Sequence, residues 1–476
     1  MPLSDNLTII DPARLGDSEF RAEYGVKYAY TAGAMYKAIA SEALVVALAK
    51  TGLIGYFGTG GLKLPRIDAA IQAIQSQLSG SHAFGMNLLH DMGQSGLEDQ
   101  TVDLFLSRGI RFVEAAAYTD VTPSIVRYRL RGLTRGRSGM IIAPHLVLAK
   151  VSRPEVARAF MSPAPEAIVR ELVAAGRLTQ QEAELGRSLP VAGDICVEAD
   201  SAGHTDQGVA YALMPAMLHL RDQLMSRFAY QKRIRVGAAG GIGTPEAAAA
   251  AFIMGADFIT TGSINQCTVE AGTSDRVKDM LQDMNVQDTA YAPAGDMFEL
   301  GARIQVLRKG VFFPGRANKL YELYMRHNSL DDIDSQTRKQ IEDRYFKRSF
   351  ENVWLETRDY YSRTGRGFEK SEPSSKQKMA LIFKWYFIHS TRLAMRGVEE
   401  DKVNYQIHCG PALGAFNQWV QGTALESWRN RYVGDIGERI MSGAAAILTR
   451  RYAELTRSVG NSVDTPYPAL DTELRV

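Results

Sequence analysis

Cysteine is scarce in this 476-residue chain. Cys196, Cys267 and Cys409 are odd in number and far apart, which excludes a disulfide framework and paired zinc-ligand spacing and makes a reducing cytoplasm the expected setting. Charge of one sign is also missing, since 55 Lys and Arg face 53 Asp and Glu for a net of +2. That balance leaves no overall basic field for nucleic acid or an anionic membrane. Long apolar runs are absent: Asp257 interrupts the longest apolar neighbourhood, and the start of the chain carries Asp5 and Asp11 without an apolar core segment. Neither export nor a membrane span is expected. What is present is ordinary for a globular protein, with 45% hydrophobic and 23% charged residues. The length allows a barrel of roughly 250 residues and a second unit beside it.

The most informative stretch is 235–266, RVGAAGGIGTPEAAAAAFIMGADFITTGSINQ. Val236 to Ala239 suits a buried parallel strand, and Gly240, Gly241 and Gly243 allow a tight turn with uncovered N–H groups. Thr244 is placed to N-cap a helix that Pro245 opens, and the chain rises again as a strand from Asp257 to Thr261, ending at Gly262-Ser263. No G-x-G-x-x-G spacing occurs there, which argues against a Rossmann unit. A phosphate site after the last two strands of a (β/α)8 barrel fits instead.

Upstream, short strands alternate with helical patterns. Expected strands run 26–32, 53–57, 83–89, 112–118, 140–151 and 194–200, completing eight with the two above. The fold class expected is therefore α/β, a (β/α)8 TIM barrel over 25–314, preceded by a leader at 1–24 packed on the body. Residues 154–190 read as a helical insertion of two short helices outside the barrel wall, with Thr179 and Glu182 forming a capping box. Beyond 313 glycine thins and amphipathic helices take over, at 317–327, 334–361, 376–396 and 414–429. Residues 315–460 form the expected C-terminal α-helical subdomain, with a flexible connection at 365–375 and a tail at 461–476.

Four strand ends carry residues suited to a flat, phosphate-bearing ligand. Gly33, Ala34 and Met35 let a ring approach the backbone, Asn87 both donates and accepts, and Gly240, Gly241, Gly262 and Ser263 hold a phosphate. Each glycine alone reads as a turn; together, at the ends of the first, third, seventh and eighth strands, they read as a site. His204 follows the sixth strand, with Asp200 available to orient it. Lys150, at the end of an apolar strand, is either a snorkelling structural residue or part of the site. Glu114 is either an acid behind the site or a charge facing a helix. Cys267 is read as packing, and Phe383 to Tyr386 as a helix packing face rather than a nucleic-acid platform.

The set AGAM around Gly33, FGMN ending at Asn87, DSAGH ending at His204, AAGGIGTPEA from Ala238 and TTGSINQCTVEAG from Thr260 resembles the FMN-dependent barrel family of nitronate monooxygenases and FMN-type enoyl-acyl-carrier-protein reductases. AKVSRPEVA from Ala149 and the long helical C-terminus are similar to the trans-acting enoyl reductases of polyketide and polyunsaturated fatty-acid synthases. The resemblance implies FMN with its phosphate on Gly240, Gly241, Gly262 and Ser263, its ring by Gly33 to Met35 and Asn87, and Gly203 and His204 beside it. It implies NADPH or NADH as reductant and an acyl carrier protein domain as partner. The family motif is E-A-G-G-H, so Asp200 reads as replacing the glutamate. Alternatives are a nitronate-oxidising flavoenzyme, a phosphate-sugar isomerase or lyase using His204 and Lys150 as acid and base, and a non-catalytic assembly protein.

Overall fold

The computed structural model describes residues 9–459 apart from 79, 81, 91–95 and 364–371. Most of the expected connection at 365–375, the first eight residues and the tail at 461–476 lie outside the described residues. Eight parallel strands close into a barrel: β1 (Tyr30–Ala32), β2 (Ile54–Phe57), β3 (Gly85–Leu89), β4 (Phe112–Ala116), β5 (Leu146–Val151), β6 (Asp194–Glu198), β7 (Arg235–Ala239) and β8 (Ile259–Thr261). β8 hydrogen-bonds back to β1, pairing Ile259 with Tyr30. β1 starts later than expected because Gly25, left-handed at φ 66, caps a helix to which Val26 still bonds. The expected run 140–151 divides at Pro144, which cannot donate to a ladder; Ile141–Ile142 pairs in a separate hairpin with Thr134–Arg135.

The leader is more than packed on the body. Its helix Ser18–Tyr24, capped by Asp17 accepting from Phe20 N–H at 2.7 Å, plugs the end of the barrel opposite the strand C-termini. Phe20 stacks on Phe258 and Tyr24 on Phe112, each pair at 4.7 Å between ring centres. Beneath them Arg235 makes a two-pronged ion pair with Asp194, at 2.6 and 2.9 Å.

Around the barrel, Thr244 caps Pro245–Ile253 as its sequence predicts, accepting from Ala247 N–H at 3.3 Å. The eighth place in the outer ring is filled from far down the chain. Helix Val433–Val459 packs on Pro245–Ile253 and on Glu42–Lys50. Its glycines allow that approach: a Cβ on Gly434, Gly437 or Gly443 would lie 2.5–2.6 Å from Thr51, Leu53 or Pro245. Residues 315–460 are thus two layers rather than one. The stretch 154–190 holds three helices, not two. Pro154–Met161 packs on β5 and on Ala210–Phe228 as barrel wall, while Glu166–Ala174 and Gln180–Gly186 pack on Pro123–Leu130. The Thr179–Glu182 capping box forms.

A feature the sequence reading lacked covers the mouth. Thr289–Pro293, Arg303–Leu307 and Gly203–Thr205 form an antiparallel sheet. Helices Phe313–Arg326, Phe350–Arg363 and Ser375–Arg396 pack behind it around a second core that includes Ile304, Val306, Phe298, Phe383 and Phe387. The expected single helix 334–361 is broken at Lys347, left-handed at φ 56, and 414–429 is helical only to Val420, before Gly422 at φ 73. Among the described residues no helix is long and apolar enough to cross a membrane.

Candidate functional site

The loops after β7 and β8 lie side by side at the C-terminal mouth because those strands are neighbours in the barrel. Gly240 and Gly241 turn with φ 84 and 75. A Cβ on Gly240 would lie 2.8 Å from the Ala199 backbone, whereas one on Gly241 or Gly262 would meet nothing within 4 Å. The turn is pressed against the barrel on one side and open on the other. Helix Pro411–Val420 comes down beside it: the Gly410 N–H at its cap donates to Ser263 Oγ at 2.9 Å. Gly240, Gly241, Gly262 and Ser263 are thus brought together with a helix start, the elements from which barrels build phosphate sites. An FMN phosphate fits that donor set.

The turn after β1 is fixed from three sides. Gly33 N–H donates to Thr261 O at 3.0 Å and Ala34 N–H to Glu114 Oε2 at 2.8 Å. A side chain at Gly58 would run into the Met35 carbonyl, since its Cβ would lie 1.7 Å from that oxygen. Asn87, buried on β3, donates to the Glu114 carbonyl at 3.1 Å, and Thr59 donates to the Asn87 carbonyl at 2.8 Å. The ring-side candidates Gly33, Ala34 and Asn87 therefore converge on Glu114, and Met35 follows them in the same turn. Its second oxygen, Oε1, is buried with no hydrogen-bond partner among the described residues.

Lys150 stands between two carboxylates, 3.5 Å from Glu198 and 3.9 Å from Glu114. Burial works against its charge, but the two carboxylates outweigh burial and hold Lys150 above the ordinary lysine range. Burial likewise pushes Glu114 up, with Lys150 and the Ala34 N–H working the other way. Ser201 donates to Glu198 at 2.8 Å. Lys150 is not a snorkelling side chain, then, but the centre of a charged cluster inside the mouth.

His204 lies on the covering sheet, opposite Ile304, with its side chain 43% exposed. Its orienting acid is Asp296, at 2.9 Å from Nε2, and not Asp200. Asp200 is engaged elsewhere, accepting from Thr205 at 2.8 Å and from the Tyr291 hydroxyl. Glu198 ends β6, and residues 199–202 lead from it to Gly203 and His204 on the covering sheet. Gly203, at φ 80, lies beside His408: its Cβ would be 3.7 Å from Nδ1. Burial and the charge of His204 push His408 down to about 4.

Burial lowers the basicity of His204, but Asp296 more than offsets it and leaves the imidazole above its ordinary range. In Asp296→Asn the main raising influence goes, while burial and the smaller influence of Glu198 remain. An NMR titration of the imidazole is expected to show His204 losing its proton at lower pH in that variant than in the parent. Coincident titrations would mean that Asp296 does not set it.

Glu198, Asp296 and His408 had no role in the sequence reading, and Glu114 only an open one. Glu114 and Glu198 carry the same signal that marks Lys150, a charge within an apolar strand, and that signal extends to all three. Asp296 and His408 lie 92 and 204 residues beyond His204 with no local mark. Only the covering sheet and the Val306 to His408 bridge bring them in.

The inserted helical domain of acyl-carrier-protein S-malonyltransferase is the family description that matches residues 327–405. The polyketide biosynthesis protein PksE of Bacillus subtilis is 56% identical over 437 residues, covering 92% of this chain and 57% of that protein. A polyunsaturated fatty acid synthase polypeptide of Thraustochytrium sp. is 43% identical over 431 residues, 89% of this chain and 29% of that protein. The chain thus spans little more than half, or less, of these relatives. A solved structure, the enoyl reductase domain of MlnA from the macrolactin biosynthesis cluster of Bacillus amyloliquefaciens, is 45% identical with a TM-score of 0.88, covering 93% of this chain and 99% of that one. The match runs through barrel, covering sheet and helical layer alike, so the chain belongs to the nitronate monooxygenase and FMN-type enoyl reductase family, in the branch of the trans-acting enoyl reductases of polyketide and polyunsaturated fatty-acid synthases.

Proposed function

We propose that the protein reduces the 2,3-double bond of 2-enoyl thioesters carried by an acyl carrier protein, using NADPH or NADH through FMN, in the cytoplasm. The observation that carries this reading is the barrel mouth, where Gly240, Gly241, Gly262 and Ser263 form one cradle within the same mouth as Lys150 and the Gly33 turn. Bound FMN supplies hydride transfer from the nicotinamide to the β-carbon of the substrate.

The chain's own residues have three tasks. The glycine loops and Ser263 bind the phosphate, and the turn from Gly33 to Met35, held by Glu114 and Gly58, orients the ring. Lys150 donates from Nζ to the thioester oxygen as negative charge builds there, in a position where burial strengthens the interaction. His204, whose basicity Asp296 raises, supplies the proton destined for the α-carbon.

The test is spectroscopic and then kinetic. Purified protein incubated with FMN and desalted is expected to be yellow and to have a raised thermal midpoint. It should oxidise NADPH under anaerobic conditions only when a 2-enoyl thioester is added. A colourless protein, or turnover confined to a nitronate in air, would remove the reading.

A further inference from the structure

Between the end of β6 and the covering sheet the chain passes through Asp200, whose N–H donates to Gly208 O at 2.8 Å and closes the loop 200–208 on itself. Its carboxylate takes one donor from each strand of the sheet. Thr205 Oγ1 comes from Gly203–Thr205 at 2.8 Å, the Tyr291 hydroxyl from Thr289–Pro293, and Gln305 Nε2 from Arg303–Leu307 at 3.4 Å. The register permits this, since Tyr291 and Gly203 both stand opposite Gln305, and Thr205, two residues on from Gly203, turns its side chain to the same face. All three donors are neutral, and a carboxylate, which only accepts, suits several of them at once. Thr205 is fixed from its other side as well: Gln207, left-handed at φ 57, donates its backbone N–H to Oγ1 at 2.9 Å.

The same loop walls the phosphate cradle. A Cβ on Gly240 would lie 2.8 Å from Ala199 O and 2.9 Å from Asp200 O, so the glycine turn after β7 rests on the Asp200 backbone. On the other side stands Gly410, whose N–H donates to Ser263 Oγ; a Cβ there would lie 3.1 Å from Gln305 Oε1 and 3.5 Å from Ala202 N. Cradle and sheet therefore meet at 199–202. The sheet in turn carries both members of the His204–Asp296 pair, His204 next to Thr205 and Asp296 in the connection between Thr289–Pro293 and Arg303–Leu307.

We propose that Asp200 is a positioning residue, which clasps all three strands of the covering sheet to the phosphate cradle and so places the His204–Asp296 pair relative to a ligand bound there. It acts through His204 and not on the ligand itself. The clasp stands on the contacts of Asp200 alone; the step it serves, proton delivery from His204, rests on the enoyl reductase reading. Removing the carboxylate takes an acceptor from three strands together, whereas removing one donor frees one strand and leaves two held.

The test compares the full-length parent with Asp200→Ala, Tyr291→Phe and the double variant, first without ligand. Amide hydrogen exchange in Asp200→Ala is expected to quicken about 10- to 100-fold across 203–205, 289–293 and 303–307 together, with the barrel strand 235–239 unchanged. Tyr291→Phe is expected to do less, and the double variant no more than Asp200→Ala, because Tyr291 acts through the same carboxylate. Parental exchange in all three strands overturns the clasp, whatever the protein's activity. In the FMN-loaded protein, Asp200→Ala is expected to be reduced by the nicotinamide at the parental rate but reoxidised by a 2-enoyl thioester about 10- to 100-fold more slowly. The NMR titration of His204 is expected to move toward that of Asp296→Asn. Loosened strands with parental reoxidation and an unmoved His204 titration would make Asp200 a support of the sheet only and overturn its positioning role. A parent that binds FMN yet reduces no thioester removes the enoyl reductase reading, and the exchange and the titration, which need no turnover, still decide the role of Asp200.

Discussion

Lys150→Met is expected to lower turnover of a 2-enoyl thioester about 100- to 1000-fold, the usual effect of removing a donor aimed at developing negative charge. Lys150 is the group in the mouth best placed for that task. Burial strengthens its interactions, and Glu198 and Glu114 hold it charged at 3.5 and 3.9 Å. The same substitution also removes the cation that faces buried Glu114, so a loss of rate alone would not separate chemistry from damage. The double variant Lys150→Met with Glu114→Gln makes the separation. Its stability is expected to recover toward that of the parent, because no unpaired buried carboxylate remains, while its turnover stays low. His204→Ala is expected to retain FMN and lose turnover over a similar range. The measurements are FMN content, the thermal midpoint and the steady-state rate. Parental rates in both single variants would dismiss the assignment of Lys150 and His204.

The largest loss of stability is expected far from the mouth, in Asp194→Ala. Asp194 is 1% exposed and Arg235 5% exposed, and the two share a bidentate pair at 2.6 and 2.9 Å. Tyr24 donates to the same carboxylate at 2.9 Å, and Glu23 takes the remaining guanidinium edge at 2.7 Å. Removing Asp194 leaves the Tyr24 hydroxyl without its acceptor and half of the guanidinium unpaired in a sealed layer. Breaking such a pair costs about 3–5 kcal/mol. Replacing both members by apolar residues, as in Asp194→Leu with Arg235→Met, is expected to cost much less. Urea unfolding followed by circular dichroism compares the three proteins. A loss below about 1 kcal/mol in Asp194→Ala would show that the pair does not hold the plug in place.

Much of the barrel was legible because its determinants are local. Val236 to Ala239, the glycine turn, Thr244 and Pro245 specify a strand, a turn and a helix start from adjacent residues, and the structure follows them. The cradle residues were legible for the same reason, since each ends its own strand. The covering sheet was not. Thr289–Pro293 is a short run that ends in a proline and shows no clean alternation, and it becomes a strand only by pairing with Arg303–Leu307 and packing under helices. The partner of His204 was illegible for that reason: Asp296 belongs to the loop this sheet carries. Lys347 and Gly422 end helices that amphipathic periodicity alone extends, because periodicity reports which face is apolar and not where the backbone reverses.

The helix Val433–Val459 fills the eighth place in the ring only after the whole helical layer has been specified. During synthesis the eight strands and the plug leave the ribosome first. For on the order of ten seconds, at about 5–20 residues per second, the apolar faces of Pro245–Ile253 and Glu42–Lys50 then wait uncovered. The helical layer is therefore topologically a cassette held between the last strand and the last helix of the barrel. Shortening the chain from its C-terminal side removes the clasp before it removes the cassette. To excise the layer and keep the barrel, residues near 288 and 405 must be spliced and 433–459 retained, which makes the closing helix the boundary condition for any transplant of this barrel's mouth.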